Sequence, residues 1–567
     1  MAAHPPFPAL AALLVPLLAG GSGAQAALQT VREAEDLRTH YDVLAYHLEL
    51  AVDPGARRIE GSVSVEARAL QEGLTHLQLD LDRDLDVSRV TSAGVEIGFG
   101  HVNDMLVCQL PEPVDEGGEF EATVHYSGEP RAEDAFSGFH WAQTADGRPW
   151  INTSCQGPGA HSWWPCKSSY YHPEDKPESL RVDLTVPGDL YAVSNGRLAE
   201  VVQLDDGRRT YRWEHGYPLE TYSVTLNVAP YVVVESELEL PGLEEPVPWI
   251  YYVLPESAEK AAVQFAQMPE LLRVFSEAFG PWPFPDSKVA LVETNFWGME
   301  HSTAVAYGSS YPAWCEQTGT ADPYRGSNRY FDYILVHEVA HEWWGNAVST
   351  TRWGDFWIHE GFGTYAEGVY VEKTQGREVA DRFFQDQNRR LIRNKRSRLY
   401  RGDDLDSGQA YHSDVYFKGS LVLNTLRHYV DDDEAWWRTL RAFNQRFRYG
   451  NASTEDFRAV LEEETEREWQ RFFDEWVYGV GHPELEGTVR VDGQRIHIEV
   501  ENGSSADTGF EVPLDLRWEE DGLTWETRLW LEPGPFETAL PYAAPPGGLE
   551  VVGLQRLLGR HEVEVKP

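Results

Sequence analysis

The chain has 567 residues, too many for one hydrophobic core, so roughly two to four domains are expected. Composition is that of a globular protein rich in Trp, Tyr and Phe, with 48 basic against 92 acidic residues and a formal charge of −44. That imbalance argues against nucleic acid or anionic membrane surfaces as partners; it fits a soluble protein working outside the cytoplasm or one adapted to salt.

In chain order, residues 9–19, "ALAALLVPLLA", form an apolar run too short to span a bilayer. Ala24-Gln25-Ala26 follows with the small-x-small pattern read by a signal peptidase, so residues 1–26 are read as a signal peptide, although its first residues lack Lys and Arg. The expected location is periplasmic or extracellular. No later stretch is long and apolar enough to predict membrane insertion.

Residues 27–241 read as a β-rich N-terminal domain. "YHLELAV", "IEGSVSVEA", "LQLDLD" and "YSVTLNV" alternate apolar and polar, as strands with one buried face do. Asn195-Gly196 is a tight-turn signal between such runs, and a large antiparallel assembly is the natural reading. "PGLEEPVP" (241–248) looks like a linker. Across 242–483 the period changes. Residues 257–280 carry apolar positions at helical spacing and end on Gly280; a strand-like region (288–308) and further helices follow. The basic run "NRRLIRNKRSRLYR" (388–401) reads as a solvated helix face. From 484 to 567 alternation returns, as expected of a small β domain. Cys108, Cys155, Cys166 and Cys315 are too scattered for a thiolate zinc cluster and are read as buried or unpaired thiols.

Chemistry concentrates in "FDYILVHEVAHEWWGN" (331–346). Positions i and i+4 share one face of a helix, so His337 and His341 can offer two imidazole nitrogens to one cation, with Glu338 beside it to polarise a bound water. Three ionisable groups in an apolar segment would each cost several kcal/mol if unpaired, which favours a metal over a buried polar patch. "DFWIHEGFGTYAEG" (355–368) supplies the third ligand, Glu360, with eighteen residues after His341. Two imidazoles, a carboxylate and water make an open catalytic zinc site, whereas structural zinc sites are closed by four protein ligands. Glu367, two turns further on, is placed either to hydrogen-bond a ligating histidine or to face solvent.

His-Glu-x-x-His, eighteen residues, then Glu within "IHEGF" resembles the aminopeptidase N family of gluzincin metallopeptidases, which includes leukotriene hydrolase. "FWGMEHST" (296–303) resembles the family's exopeptidase motif, "VYFKGSLVL" (415–423) a segment carrying a catalytic tyrosine, and "SCQGPGAHSWWPC" (154–166) a segment whose glutamine lines the substrate-amine pocket. "YAVSNG" and "FFDEWVYGVGHPEL" are further family-like stretches. The resemblance implies a multidomain α+β fold: a β-rich N-terminal domain, a thermolysin-like, mainly helical catalytic domain and a small C-terminal β-sandwich. It also implies that the C-terminal helical domain of larger members is lacking here, leaving a more open cleft. Two departures stand out: Trp297 and His301 occupy positions where glycine and asparagine are usual, and His359 replaces the asparagine before the zinc glutamate.

The function expected from the resemblance is a zinc-dependent aminopeptidase holding one zinc ion on His337, His341 and Glu360, and acting on peptides with a free N-terminus. Glu338 is the general base for a zinc-activated water and Tyr416 the oxyanion donor. A free α-ammonium leaves water only for an acidic partner, and Glu300 with Gln156 is the expected anchor. The strand "STAVAY" (302–307) is expected to hold the peptide backbone at a sheet edge. The alternatives are a thermolysin-like metalloendopeptidase and an inactive peptide-binding relative.

Overall fold

The computed structural model describes residues 36–132, 137–157, 159–319, 330–391, 397–542 and 547–566. The apolar leader and its cleavage motif lie outside these residues, as does the middle of the basic run. The first part of that run ends the helix Arg377–Leu391; residues 397–401 are not helical.

The N-terminal alternation becomes sheet. In Tyr41–Asp53 the residues Val43, Tyr46, Leu48, Leu50 and Val52 are buried, in pairing with Arg58–Ala69. These strands sit in an eight-stranded sheet with the order 197–203, 208–215, 179–187, 41–53, 58–69, 119–128, 86–92, 95–96. The assembly is mainly antiparallel, but Tyr41–Asp53 pairs in parallel with Ser179–Pro187. The long connection between them makes that crossover possible. A three-stranded sheet and a four-stranded sheet complete this region.

Two local readings change. Gly196 turns tightly at φ +77°, where a Cβ would run into Glu214 O, yet the strands Tyr191–Val193 and Arg197–Gln203 belong to different sheets. The turn therefore moves the chain between layers instead of closing a hairpin. "YSVTLNV" (222–228) is not one alternating strand. Thr221–Ser223 is a 3-10 turn, only Asn227–Ala229 is strand, and every residue from 221 to 230 is buried. Burial on all sides removes the polar face that alternation assumes.

A five-stranded sheet joins the two halves of the molecule, in the order 232–238, 247–253, 289–293, 305–307, 298–299. Its faces serve different cores. Trp249, Val289 and Leu291 pack with the catalytic helices, while Tyr252, Ala290 and Val292 pack with the N-terminal sheets. The helical stretch after the linker is two helices, Ala258–Gln264 and Met268–Phe279, joined by a 3-10 turn; Pro269 sits in the first turn of the second. The C-terminal sandwich pairs a four-stranded sheet (534–541, 495–504, 483–492, 560–566) with a three-stranded one (523–531, 512–520, 547–552). Leu485, Ile496, Val512 and Leu514 belong to the same hydrophobic cluster as the catalytic helices, so the sandwich extends that core. All four cysteines are buried, and no disulfide joins any two of them. Among the described residues no helix is long and apolar enough to cross a membrane.

Candidate active site

Three helices carry the metal-site chemistry. The histidine helix is Tyr333–Ala340. Asp332 caps its start, accepting from Leu335 N, while its other carboxylate oxygen accepts from Gln264 Nε2 (2.8 Å) and Tyr307 Oη (2.6 Å). The helix is shorter than the motif suggested and stops at Ala340, with His341 as its last cap. Trp343 and Trp344 turn into the core and Gly345 adopts φ +122°. This turn matters chemically, because His341 Nδ1 lies 2.8 Å from the carbonyl of Trp344. The glutamate helix, Trp357–Gln375, carries Glu360 in its first turn and Glu367 two turns later. The tyrosine helix, Ser413–Val430, presents Tyr416 from its first turn.

Gly361 and Gly419 set the distance between the last two helices. A Cβ on Gly419 would stand 2.8 Å from Gly361 Cα, and one on Gly361 3.0 Å from Gly419 Cα. Gly363 performs a similar service for the imidazoles, since its Cβ would approach His341 Cε1 to 3.1 Å.

His337, His341 and Glu360 converge. The two Nε2 atoms are 3.2 Å apart, and each lies 3.4 Å from Glu360 Oε2. A tetrahedral cation with bonds of about 2.0–2.1 Å has donor–donor edges of about 3.3–3.4 Å, so this triangle fits zinc. Glu360 Oε2 is buried without a hydrogen-bond partner. The outward nitrogens are engaged: His337 Nδ1 lies 3.0 Å from Glu367 Oε1, and His341 Nδ1 faces the Trp344 carbonyl. Both rings thus turn Nε2 toward a common point, in the arrangement that orients metal-ligating histidines. Of the two readings of Glu367, the contact to a ligand histidine is the one realised.

Electrostatics agree. Burial opposes a charge on His341, but the Glu360 and Glu300 carboxylates outweigh it and carry the ring up to about 9. Burial, reinforced by the Glu300 charge and opposed by His337, raises the Glu338 carboxyl to about 8. So many buried carboxylates around two imidazoles make a cluster that attracts a cation.

Beside the triad lies a cavity of about 550 Å³, reached by Gln156, Glu300, Glu338 and Tyr416. Atoms of Glu300, Glu338 and His341 lie within 4.8 Å of one another. Gln156 Nε2 donates to Glu300 Oε1, which also accepts from Tyr222 Oη at 3.1 Å. Burial raises the Glu300 carboxyl above the usual range. Glu338 Oε1 would stand 2.5 Å from a Cβ on Gly298. The Tyr416 ring lies 6.0 Å from that of His337 at 25°, and burial keeps its phenol well above the ordinary value.

The expectation for "STAVAY" is corrected. Val305–Tyr307 is paired on both sides, with Val289–Glu293 and with Gly298–Met299, so it offers no edge. The edge facing the cavity is Gly298–Met299 within the exopeptidase-like motif. Gly308 N donates to Trp297 O, and by strand alternation Gly298 turns its N–H and C=O outward. His301 and His359 are both fully buried, and burial depresses each to about 3. His359 Nε2 accepts from Thr350 N at 3.0 Å, fixing its tautomer.

Sequence reading missed Tyr222 and Tyr333. Tyr333 stacks on His337 with centroids 5.2 Å apart at 17°, and its i, i+4 spacing to His337 was a usable signal. Tyr222 reaches Glu300 from the other half of the chain, and nothing local marks it. Lys176 also crosses between the halves, donating to Asn346 O and Ser349 Oγ, both at 2.9 Å, while Asn346 Nδ2 donates to Glu300 O. The turn after the histidine helix and the edge strand are thereby tied together.

Fold and site together define a zinc metallopeptidase of the two-histidine, one-glutamate kind. Comparison with known proteins agrees: residues 38–223 match the Peptidase M1 N-terminal domain and residues 263–476 the Peptidase family M1 domain, and the chain belongs to this family of peptide-bond hydrolases. Leukotriene A-4 hydrolase of Xenopus laevis is 24% identical over 457 residues, covering 74% of this chain and 68% of that protein. Aminopeptidase M1-B of Oryza sativa subsp. japonica is 26% identical over 505 residues, covering 83% of this chain and 54% of that one. The chain spans about half the length of several such relatives. The crystal structure of an M1 zinc metallopeptidase from Deinococcus radiodurans superposes with a TM-score of 0.63 at 24% identity, covering 77% of this chain and 93% of that one, which shows the shared fold. One zinc ion is the cofactor that the family and this donor set define.

Proposed function

We propose that this protein is an exported aminopeptidase that hydrolyses the first peptide bond of peptides with a free N-terminus. The observation that carries the reading is the buried Glu300 carboxyl on the cavity wall, which is held by Gln156 and Tyr222 and stands within 4.8 Å of Glu338 and His341. An α-ammonium placed there gains a charge-assisted partner as it leaves water, and its carbonyl then reaches the metal ligands.

His337, His341 and Glu360 would hold the zinc, which when bound activates a water and polarises a carbonyl oxygen. Glu338 accepts the proton of the attacking water and returns it to the leaving amine. Tyr416, kept protonated by its raised pKa, donates a hydrogen bond to the carbonyl oxygen as negative charge develops there. Gly298 pairs with the substrate backbone as an added strand. Export is supported by the apolar run 9–19 and Ala24-Gln25-Ala26, and N-terminal sequencing of the mature protein, expected to begin after Ala26, tests it.

The experiment for the anchor is Glu300→Ala. Its KM for amino-acid amides should rise by about tenfold or more, while zinc stays at one equivalent. An unchanged KM would remove Glu300 from the amine site.

A further inference from the structure

The cavity has a direction. On the histidine helix His341, His337 and Tyr333 follow at one-turn intervals of about 6 Å. Glu300 lies at the His341 end, and Tyr333 stacks on His337 at the other. The edge strand runs alongside: from Glu300 back to Trp297 is about 10 Å at 3.3 Å per residue. At that far end the Trp297 ring lies 5.8 Å from the Tyr333 ring, tilted by 42°. Both rings line the cavity, and Trp297 is 37% exposed, unlike the many tryptophans sealed in the core. Its carbonyl is fixed to the sheet by Gly308 N–H, so the indole is mounted on a rigid edge.

A peptide anchored by its amine at Glu300 and extended at about 3.3–3.6 Å per residue brings its second and third residues to this end, past the scissile carbonyl. We propose that Trp297 and Tyr333 form an aromatic platform for the side chain of the second or third substrate residue, and so select peptides with an aromatic or large aliphatic group on the leaving side. The inference rests on the aminopeptidase reading. Glycine at position 297 would leave only the backbone there, and ring-to-ring contact with its buried area corresponds to about tenfold in kcat/KM.

The test uses zinc-loaded protein and three tripeptides beginning with alanine: all-alanine, phenylalanine second, and phenylalanine third. The wild type should favour at least one phenylalanine peptide by about tenfold. Trp297→Gly should lose that preference and Trp297→Phe should keep most of it. A wild-type ratio near one at both positions would overturn the platform even if neither variant folds, as would a preference undiminished in Trp297→Gly. Alanine amide, which has no leaving-side side chain, separates the two readings. Failure to cleave the amide or any of the peptides would sink the aminopeptidase reading, whereas amide cleavage with flat tripeptide ratios would sink the platform alone.

Discussion

Glu338 and Glu367 are both buried glutamates within reach of the same imidazole pair, yet their surroundings give them different work. Glu338 borders the cavity at Gly298, so its carboxyl faces the space where water and substrate would meet and is placed to exchange a proton. Glu367 faces the far side of His337 and has no access to the cavity. Two substitutions should separate accordingly. Glu338→Gln should keep one zinc per chain and lose about 10²–10⁴ in kcat. Glu367→Ala should weaken zinc binding by about 10–100-fold, with activity recovering as zinc is added. Metal titration with kinetics distinguishes them, and zinc loss in Glu338→Gln would contradict the assignment.

At the scale of elements, the glycines carry as much of the site as the ligands. Gly361 and Gly419 let the glutamate and tyrosine helices touch, which sets Tyr416 against the metal triad. Gly419→Ala would force a Cβ to 2.8 Å from backbone, a contact the helices can relieve only by separating. Overpacking of this kind costs about 1–3 kcal/mol, so the melting temperature should drop and kcat/KM fall at temperatures where the variant is still folded. A variant with wild-type stability and rate would show that the approach is dispensable. The same distinction decides what was legible in the sequence. His337 and His341 follow from helical periodicity inside one segment and Glu360 is the carboxylate offered by the next, whereas the choice between a histidine and solvent for Glu367 depends on how the two helices pack. The end of the histidine helix, the pairing of Val305–Tyr307 on both sides and the 3-10 turn bearing Tyr222 depend on which surfaces bury which. Alternation cannot register a segment enclosed on every side.

For the molecule as a whole, the five-stranded sheet shared by two cores makes the site a seam: Gln156, Lys176 and Tyr222 come from the N-terminal part of the chain, and the metal helices from the part after it. Stability of the seam depends on pH. His215 is buried without a partner for either ring nitrogen, and burial, with Lys288 and Lys176 adding, depresses it to about 3. Its folded pKa lies below the unfolded value near 6.5, so the unfolded chain takes the proton first. The stability it contributes is present above about pH 6.5 and lost as pH falls toward 3, by up to about 1.4 kcal/mol per pH unit. His215→Phe should flatten the fall of melting temperature below pH 6.5; an unchanged slope would assign the acid sensitivity elsewhere.

The most direct measurement of the central claim pairs one peptide with its N-acetylated form and follows cleavage by the zinc-quantified protein. The account predicts that only the free peptide loses its first residue, that a chelator stops the reaction, and that added zinc restores it. Equal cleavage of both forms, or full activity in protein stripped of metal, would contradict it.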